Sequence, residues 1–265
     1  MRGSRADVLT DGQSHLSSGA APFSIRPALR LHDPHVSLPG ASRSHHIAPV
    51  GRHIERNGWP PLPGSAPAVV QVSRWDRLKD PAGVLQAFAD GIGPSTEAHL
   101  VLAGPSTAAV ADDPEGPAVL AEVSSLANHM PDALRERIHL FSVPMDDLQE
   151  NAAIVNALQR RADVVVQKSV AEGFGLTVAE AMWKARPVVA SAVGGIQDQV
   201  VDGESGVLVE PDDLDGFANA VAGLLGDPAR AEWMGHNARE RVRGAFLGAR
   251  HLEQYVDLFE GVVNS

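Results

Sequence analysis

The sequence predicts an α/β protein, a doubly wound parallel sheet beginning near residue 67 and preceded by a poorly ordered N-terminal segment. Two patterns carry the prediction for the body. Short, valine-rich apolar runs recur at 68–72, 99–104, 138–143, 163–169, 187–193 and 206–209, and continuous runs of that kind suit strands buried on both faces. Helix-forming stretches separate them, and such alternation demands right-handed crossovers between parallel strands. A third pattern marks the leader. Residues 1–66 are rich in Ser, Pro, His, Arg and Gly and hold no sustained apolar period, so they cannot bury enough surface to order themselves.

The elements follow in order. Trp59-Pro60-Pro61-Leu62-Pro63-Gly64 reads as an extended linker into the first strand. Ser73 to Asp80 form the loop after that strand, and Asp80-Pro81 cap a helix reaching about Ala89. After the second strand comes a polar excursion containing Asp112-Asp113-Pro114-Glu115-Gly116, then a helix from about Pro117 to His129. A helix from Asp146 to Arg160 follows the third strand, and helices from about Asp213, Pro228 and Gly248 finish the chain. The domains are therefore a low-order leader and linker, 1–66, and a Rossmann-like body, 67–265. In such sheets ligands bind beyond the carboxyl ends of the strands. That rule gathers loops 73–80, 104–116, 142–146, 169–176 and 193–199 onto one edge.

Composition narrows the chemistry. A formal net charge of −11 argues against nucleic acid or an anionic membrane as a bulk electrostatic partner. The chain holds no cysteine, so it has neither disulfides nor thiolate metal sites. No apolar run approaches the ~18 residues of a membrane span, and the N-terminus lacks the apolar core of a secretory signal. A cytoplasmic location is expected. Six of the eleven histidines lie in the leader, including His45, His46 and His53, without the acidic ligands that would fix a metal site. The Asp112-Asp113 cluster reads as a solvated turn, and no bound metal is expected.

The chemistry concentrates in Glu172-Gly173-Phe174-Gly175-Leu176-Thr177-Val178-Ala179-Glu180, which follows the strand at 163–169. The two glycines permit tight turns and leave room for a ligand. The helix after them presents free N–H groups and partial positive charge, a site for phosphate. Glu172 and Glu180 would repel that phosphate but can accept hydrogen bonds from hydroxyls, which a nucleotide sugar carries on both of its sugars. Taken alone, Thr177 and Glu180 also fit a capping box, and Glu172 fits a solvated loop carboxylate. Arg74 and Lys79 are natural cations for a diphosphate, Arg as a planar fork and Lys as a mobile charge; a solvated basic loop is the plainer alternative.

The spacing Glu172-x7-Glu180 around Gly-Phe-Gly-Leu resembles the donor-site signature of retaining GT-B glycosyltransferases, the group that includes sucrose and glycogen synthases. The longer string to Ala181-Met182-Trp183-Lys184 is similar to trehalose synthases that join nucleotide-activated glucose to glucose, and trehalose phosphorylases share much of it. Ser73-Arg74-Trp75-Asp76…Lys79 is similar to a Ser-Arg-aromatic-Asp…Lys-Gly segment of these enzymes, with Asp80 where glycine is usual.

The resemblance covers about residues 68–263 and implies the C-terminal, donor-binding half of a GT-B enzyme. It assigns Arg74, Lys79 and Glu172 to catalysis, the cations on the diphosphate and Glu172 on hydroxyls of the donor sugar. Gly173, Phe174, Gly175 and Leu176 would approach sugar and phosphates, Thr177 would bond a phosphate, Glu180 would grip the ribose, and Val143 with Pro144 would meet the base through backbone groups. Gly194-Gly195-Ile196 line the site or simply make a tight turn. No tightly bound cofactor is implied; the donor is ADP-, UDP- or GDP-glucose and the acceptor a sugar. The implied partner is an acceptor-binding N-terminal domain, on another chain or through self-association. A nucleotide-sugar-binding remnant without turnover and a trehalose-phosphorylase-like enzyme are the alternatives.

Overall fold

The structure, a computed structural model, describes residues 55–56, 62–107 and 114–263. The leader histidines and Asp112-Asp113 lie outside the described residues. Among the described residues seven strands form one sheet: β1 (Glu55–Arg56), β2 (Ala68–Val72), β3 (His99–Pro105), β4 (Ile138–Val143), β5 (Val164–Gln167), β6 (Val188–Ser191) and β7 (Val207–Val209). Their order is β1-β4-β3-β2-β5-β6-β7. The six strands from β2 to β7 are parallel, as their buried apolar runs predict. The two-residue β1, which the leader's composition does not announce, pairs antiparallel with β4 at the edge, Glu55 opposite Ser142 and Arg56 opposite Phe141.

Both faces of the sheet are covered, and alternation along each strand divides the core in two. On one face Val69, Leu100, Leu102, Val164 and Val166 pack with α1 (Pro81–Ala87), α3 (Glu115–Asn128) and α8 (Leu214–Gly226) through Val84, Leu85, Val123, Phe217 and Val221. On the other, Val70, Val101, Val165 and Val188 pack with α5 (Leu148–Arg161), α6 (Leu176–Trp183) and α9 (Pro228–Ala245) through Ile154, Leu158, Val178, Met182, Ala238 and Val242. The helix expected through Ala89 changes character: α1 ends at Ala87, widens into a π-turn over Phe88–Ile92 and closes in α2 (Gly93–Ser95). At Gly91 a Cβ would collide with Ala218 of α8, so the bare backbone is what lets the two helices meet.

The remaining helices are short or peripheral. α4 (Asp132–Arg135) leads into β4, and α7 (Ile196–Gln199) occupies the loop after β6. α10 (Gly248–Val263) ends the described chain with Leu252, Tyr255, Val256, Leu258, Phe259 and Val262 exposed. No helix among the described residues is long and apolar enough to cross a membrane.

Candidate functional site

Strand order reverses at the sheet centre, where β2 and β5 are neighbours and their following helices depart to opposite faces. This switch point is the crevice where open α/β sheets bind ligands. It brings the loop after β2 against the loop after β5. The Val170 N–H donates to the Leu78 carbonyl (2.8 Å), and the Gln71 side-chain amide donates to the Lys79 carbonyl (2.9 Å). With its backbone held on both sides, Lys79 lays its ammonium on Glu172, 93 positions later in sequence. Both side chains of this ion pair are about six-sevenths shielded, at 15% and 14% exposure, so water screens the attraction less than at a surface. Glu172 also accepts from the Gly173 N–H at 3.1 Å.

A second ion pair lies beside the first. Lys168, at the carboxyl end of β5, is buried and donates to Asp80 (2.5 Å) and to the Pro211 carbonyl (2.7 Å). Asp80 has left-handed backbone, φ 45° and ψ 51°, and its carboxylate also accepts from the Gly83 N–H at the start of α1. Arg74 is not drawn into this group. Its guanidinium is 63% exposed and binds Asp76 at 2.5 Å, while the adjacent Trp75 is buried and donates its indole N–H to the Pro105 carbonyl.

The glycine loop is shaped by its neighbour. Gly194 has φ 46°, and any Cβ there would fall inside the Glu172 carbonyl oxygen; a Cβ on Gly195 would strike the Gly173 carbonyl. The Gly194-Gly195 turn is therefore the floor under Glu172 and Gly173 rather than a free edge. Gln199 of α7 adds a bond to the Phe174 carbonyl. Gly175 takes φ 80° and starts α6, whose Val178 and Ala179 N–H groups return to the Gly175 carbonyl. The N–H groups of Leu176 and Thr177, ahead of those bonds, have no acceptor within the helix. Phe174 and Leu176 are exposed, and the space beside Gly173 is open.

The capping-box reading of Thr177 and Glu180 fails. Because Gly175 begins the helix, Thr177 already lies inside it, and its hydroxyl donates to Gln167 at 2.9 Å. Glu180 turns instead to α5, where the Gln159 amide donates to it at 3.4 Å and to the Thr177 carbonyl at 3.3 Å. Burial pushes the Glu180 carboxyl above its ordinary range, partly offset by the charge of Lys184 and the Gln159 bond. Lys184 donates to the Gln159 carbonyl oxygen at 2.6 Å, and burial brings its ammonium down to about 8. Val143 is buried at the end of β4, its carbonyl accepting from the Ser106 N–H at 2.8 Å, and the Pro144 carbonyl accepts from Asn151.

Residues 59–241 match the model for glycosyl transferases group 1. The chain belongs to the group 1 glycosyltransferases. A trehalose synthase from Rubrobacter xylanophilus is 40% identical over 237 residues, 89% of this chain and 51% of that one. A sucrose-phosphate synthase structure from Thermosynechococcus elongatus shares 33% identity with a TM-score of 0.62, covering 77% of this chain and 47% of that one. The Anabaena protein HepE, solved with UDP-glucose, superposes with a TM-score of 0.61 at 20% identity over 74% of this chain and 49% of its own, a likeness of fold. This glycosyltransferase chain thus spans about half the length of the relatives it matches. Its fold is that of GT-B enzymes, and the matched part fits their C-terminal half.

Seen as a glycosyltransferase, the chain explains its departure at Asp80. The position has positive φ, where glycine costs nothing; here an aspartate occupies it and recovers the cost by capping α1 and neutralising buried Lys168. Sequence reasoning passes over Gln71 and Gln159; Lys168, directly before the motif, reads equally as a solvated strand end, and Lys184 closes the string shared with trehalose synthases without a role of its own.

Proposed function

We propose that the described residues form the donor-binding half of a trehalose-synthase-like retaining glycosyltransferase, which takes a nucleoside-diphosphate glucose. One observation carries the reading: Lys79 and Glu172, from loops on either side of the switch point, form a shielded ion pair beside the start of α6. A cation and a carboxylate in contact suit a ligand with a phosphate next to hydroxyls. Donor binding exchanges their partners. The diphosphate takes Lys79, and sugar hydroxyls replace the ammonium on Glu172. As the nucleoside diphosphate leaves, charge grows on its terminal phosphate, where Lys79, Arg74 and the N–H groups of Leu176 and Thr177 stabilise it more than in the ground state. Gly173, Phe174 and Gly175 let the sugar lie close to the backbone, and Glu180 serves the ribose. The family match, the trehalose synthase relative and the UDP-glucose bound by HepE support this assignment.

Transfer also needs an acceptor-binding domain beyond the described residues, because one α/β half has no opposing wall to orient a sugar or exclude water. The exposed apolar face of α10 is consistent with such a partner. A second reading, a donor-binding chain without turnover, is favoured by Arg74, whose exposed guanidinium lies on Asp76 and outside the Lys79–Glu172 pair.

Calorimetric titration with ADP, UDP and GDP, and with their glucose conjugates, tests the site. Lys79→Ala should weaken every ligand that binds by about 10–100-fold, the scale of a lost charge-assisted bond. Glu172→Gln should weaken the glucose conjugate yet tighten the bare diphosphate, since it removes a competitor for Lys79. Loss of both together would sink the exchange. Trehalose formed from the bound conjugate and glucose would decide against the turnover-free reading.

A further inference from the structure

Gln159 of α5 is fully buried, and its side chain reaches across to α6 and to Lys184 just beyond it. Burying an amide costs free energy unless every donor and acceptor is used. Gln159 uses them all on a single face of α6. Its carbonyl oxygen accepts from Lys184 (2.6 Å), and its NH2 donates to the Thr177 carbonyl (3.3 Å) and to Glu180 (3.4 Å). Amide orientation is usually ambiguous from heavy atoms, but here chemistry fixes it. An ammonium can only donate, so the oxygen must face Lys184 and the NH2 must face the carboxylate.

We propose that Lys184 and Gln159 form a positioning pair that sets Glu180 for recognition of the ribose of the nucleoside diphosphate. The inference rests on the reading of Glu180 given above and adds the two residues that aim it. Lys184 locks the amide; the amide then occupies one carboxylate oxygen, Oε2, and leaves Oε1 for a ribose hydroxyl. Without the lock the amide can flip and turn its carbonyl oxygen on the carboxylate, which repels it. A glutamine needed only for packing would be better served by leucine, because an apolar side chain there carries no desolvation cost. A fully buried glutamine whose bonds go to the face of α6 that carries Glu180 is what a positioning role requires.

The test is discrimination between sugars, which simple loss of packing does not alter. ADP, UDP and GDP are titrated calorimetrically beside their 2′-deoxy and 3′-deoxy counterparts, using the full chain and its Gln159→Leu, Lys184→Met and Glu180→Ala variants. Thermal unfolding verifies that each variant folds. The wild type should prefer at least one ribose form over its deoxy counterpart, and Glu180→Ala should abolish the preference. Gln159→Leu and Lys184→Met should each lower it about fivefold to tenfold, the scale of one hydrogen bond, while affinity for the deoxy forms stays within about twofold. If the wild type discriminates and both positioning variants discriminate equally well, the positioning role is overturned and the Glu180 reading survives. If Glu180→Ala leaves the preference intact, the Glu180 reading falls and takes the positioning role with it.

Discussion

The motif's two glutamates stand eight positions apart and occupy unlike surroundings. Glu172 sits on a loop at the sheet edge, paired with a cation delivered by the other side of the switch point. Glu180 sits on a helix, half-buried, facing an amide and with its carboxyl raised by burial. The first is held by backbone contacts among loops, through Gly194, Gly195 and the 76–80 turn; the second is held by side chains across a helix interface. On the proposed reading, the difference lets one short motif serve two groups of one ligand. A loop carboxylate neutralised by an ammonium from the facing loop can exchange partners when a phosphate arrives. A helix carboxylate steadied by a buried amide keeps its place.

The comparison breaks most severely at Asp80. Asp80→Ala leaves the buried Lys168 ammonium without its carboxylate, removes the α1 cap and keeps the left-handed backbone. Together these should destabilise the fold by about 3–5 kcal/mol, read as a fall in the urea midpoint. Asp80→Gly should recover about 1 kcal/mol of that by relieving the backbone. Equal stability of the two variants would mean that the backbone strain is inconsequential. Gly194→Ala comes next, at about 2–4 kcal/mol, because its Cβ has positive φ and nowhere to go but into the Glu172 carbonyl. Its signature is selective. Affinity for a glucose conjugate should fall further than ribose preference does, since the loop end moves and the helix end does not.

Much of this was legible from residues, and the limit has a physical cause. Val164-Val165-Val166 and the other apolar runs announce buried parallel strands because both their faces must be dry. Lys79 and Glu172 each stand out by their neighbours in sequence. Their contact does not, because it depends on β2 lying beside β5, and a crossover pattern leaves strand order open. The capping box misleads for a local reason: Gly175 at φ 80° starts the helix before Thr177 can cap it. Asp80 reads as an exception to a glycine until its φ is known. Gln159 is the least legible, since a glutamine in a helix rich in Gln, Asn and Arg looks like a solvated side chain, yet it faces inward with Ile154 and Leu158.

The smallest expected effect probes the helix end through pH. Lys184 titrates in the fold at about 8, driven down by burial and by Arg160 against the pull of Glu180, whereas its ordinary value is 10.5. Between those values the unfolded chain holds a proton that the folded chain has released, so raising the pH through this window should stabilise the protein, by at most about 1.4 kcal/mol per pH unit for one proton. Glu180 gives a change of opposite sign at the acid end. Its raised carboxyl favours the protonated fold, so its contribution is present below the ordinary value of 4.5 and is lost as pH rises through the folded value. Other groups titrate too, which makes the informative quantity a difference. The unfolding free energy of wild type minus that of Lys184→Met should climb from pH 8 to 10, and that of wild type minus Glu180→Gln should fall as pH rises from 4. A flat difference in both would mean that water reaches the helix end as freely as the loop, and the contrast between the two glutamates would then lie in their partners alone.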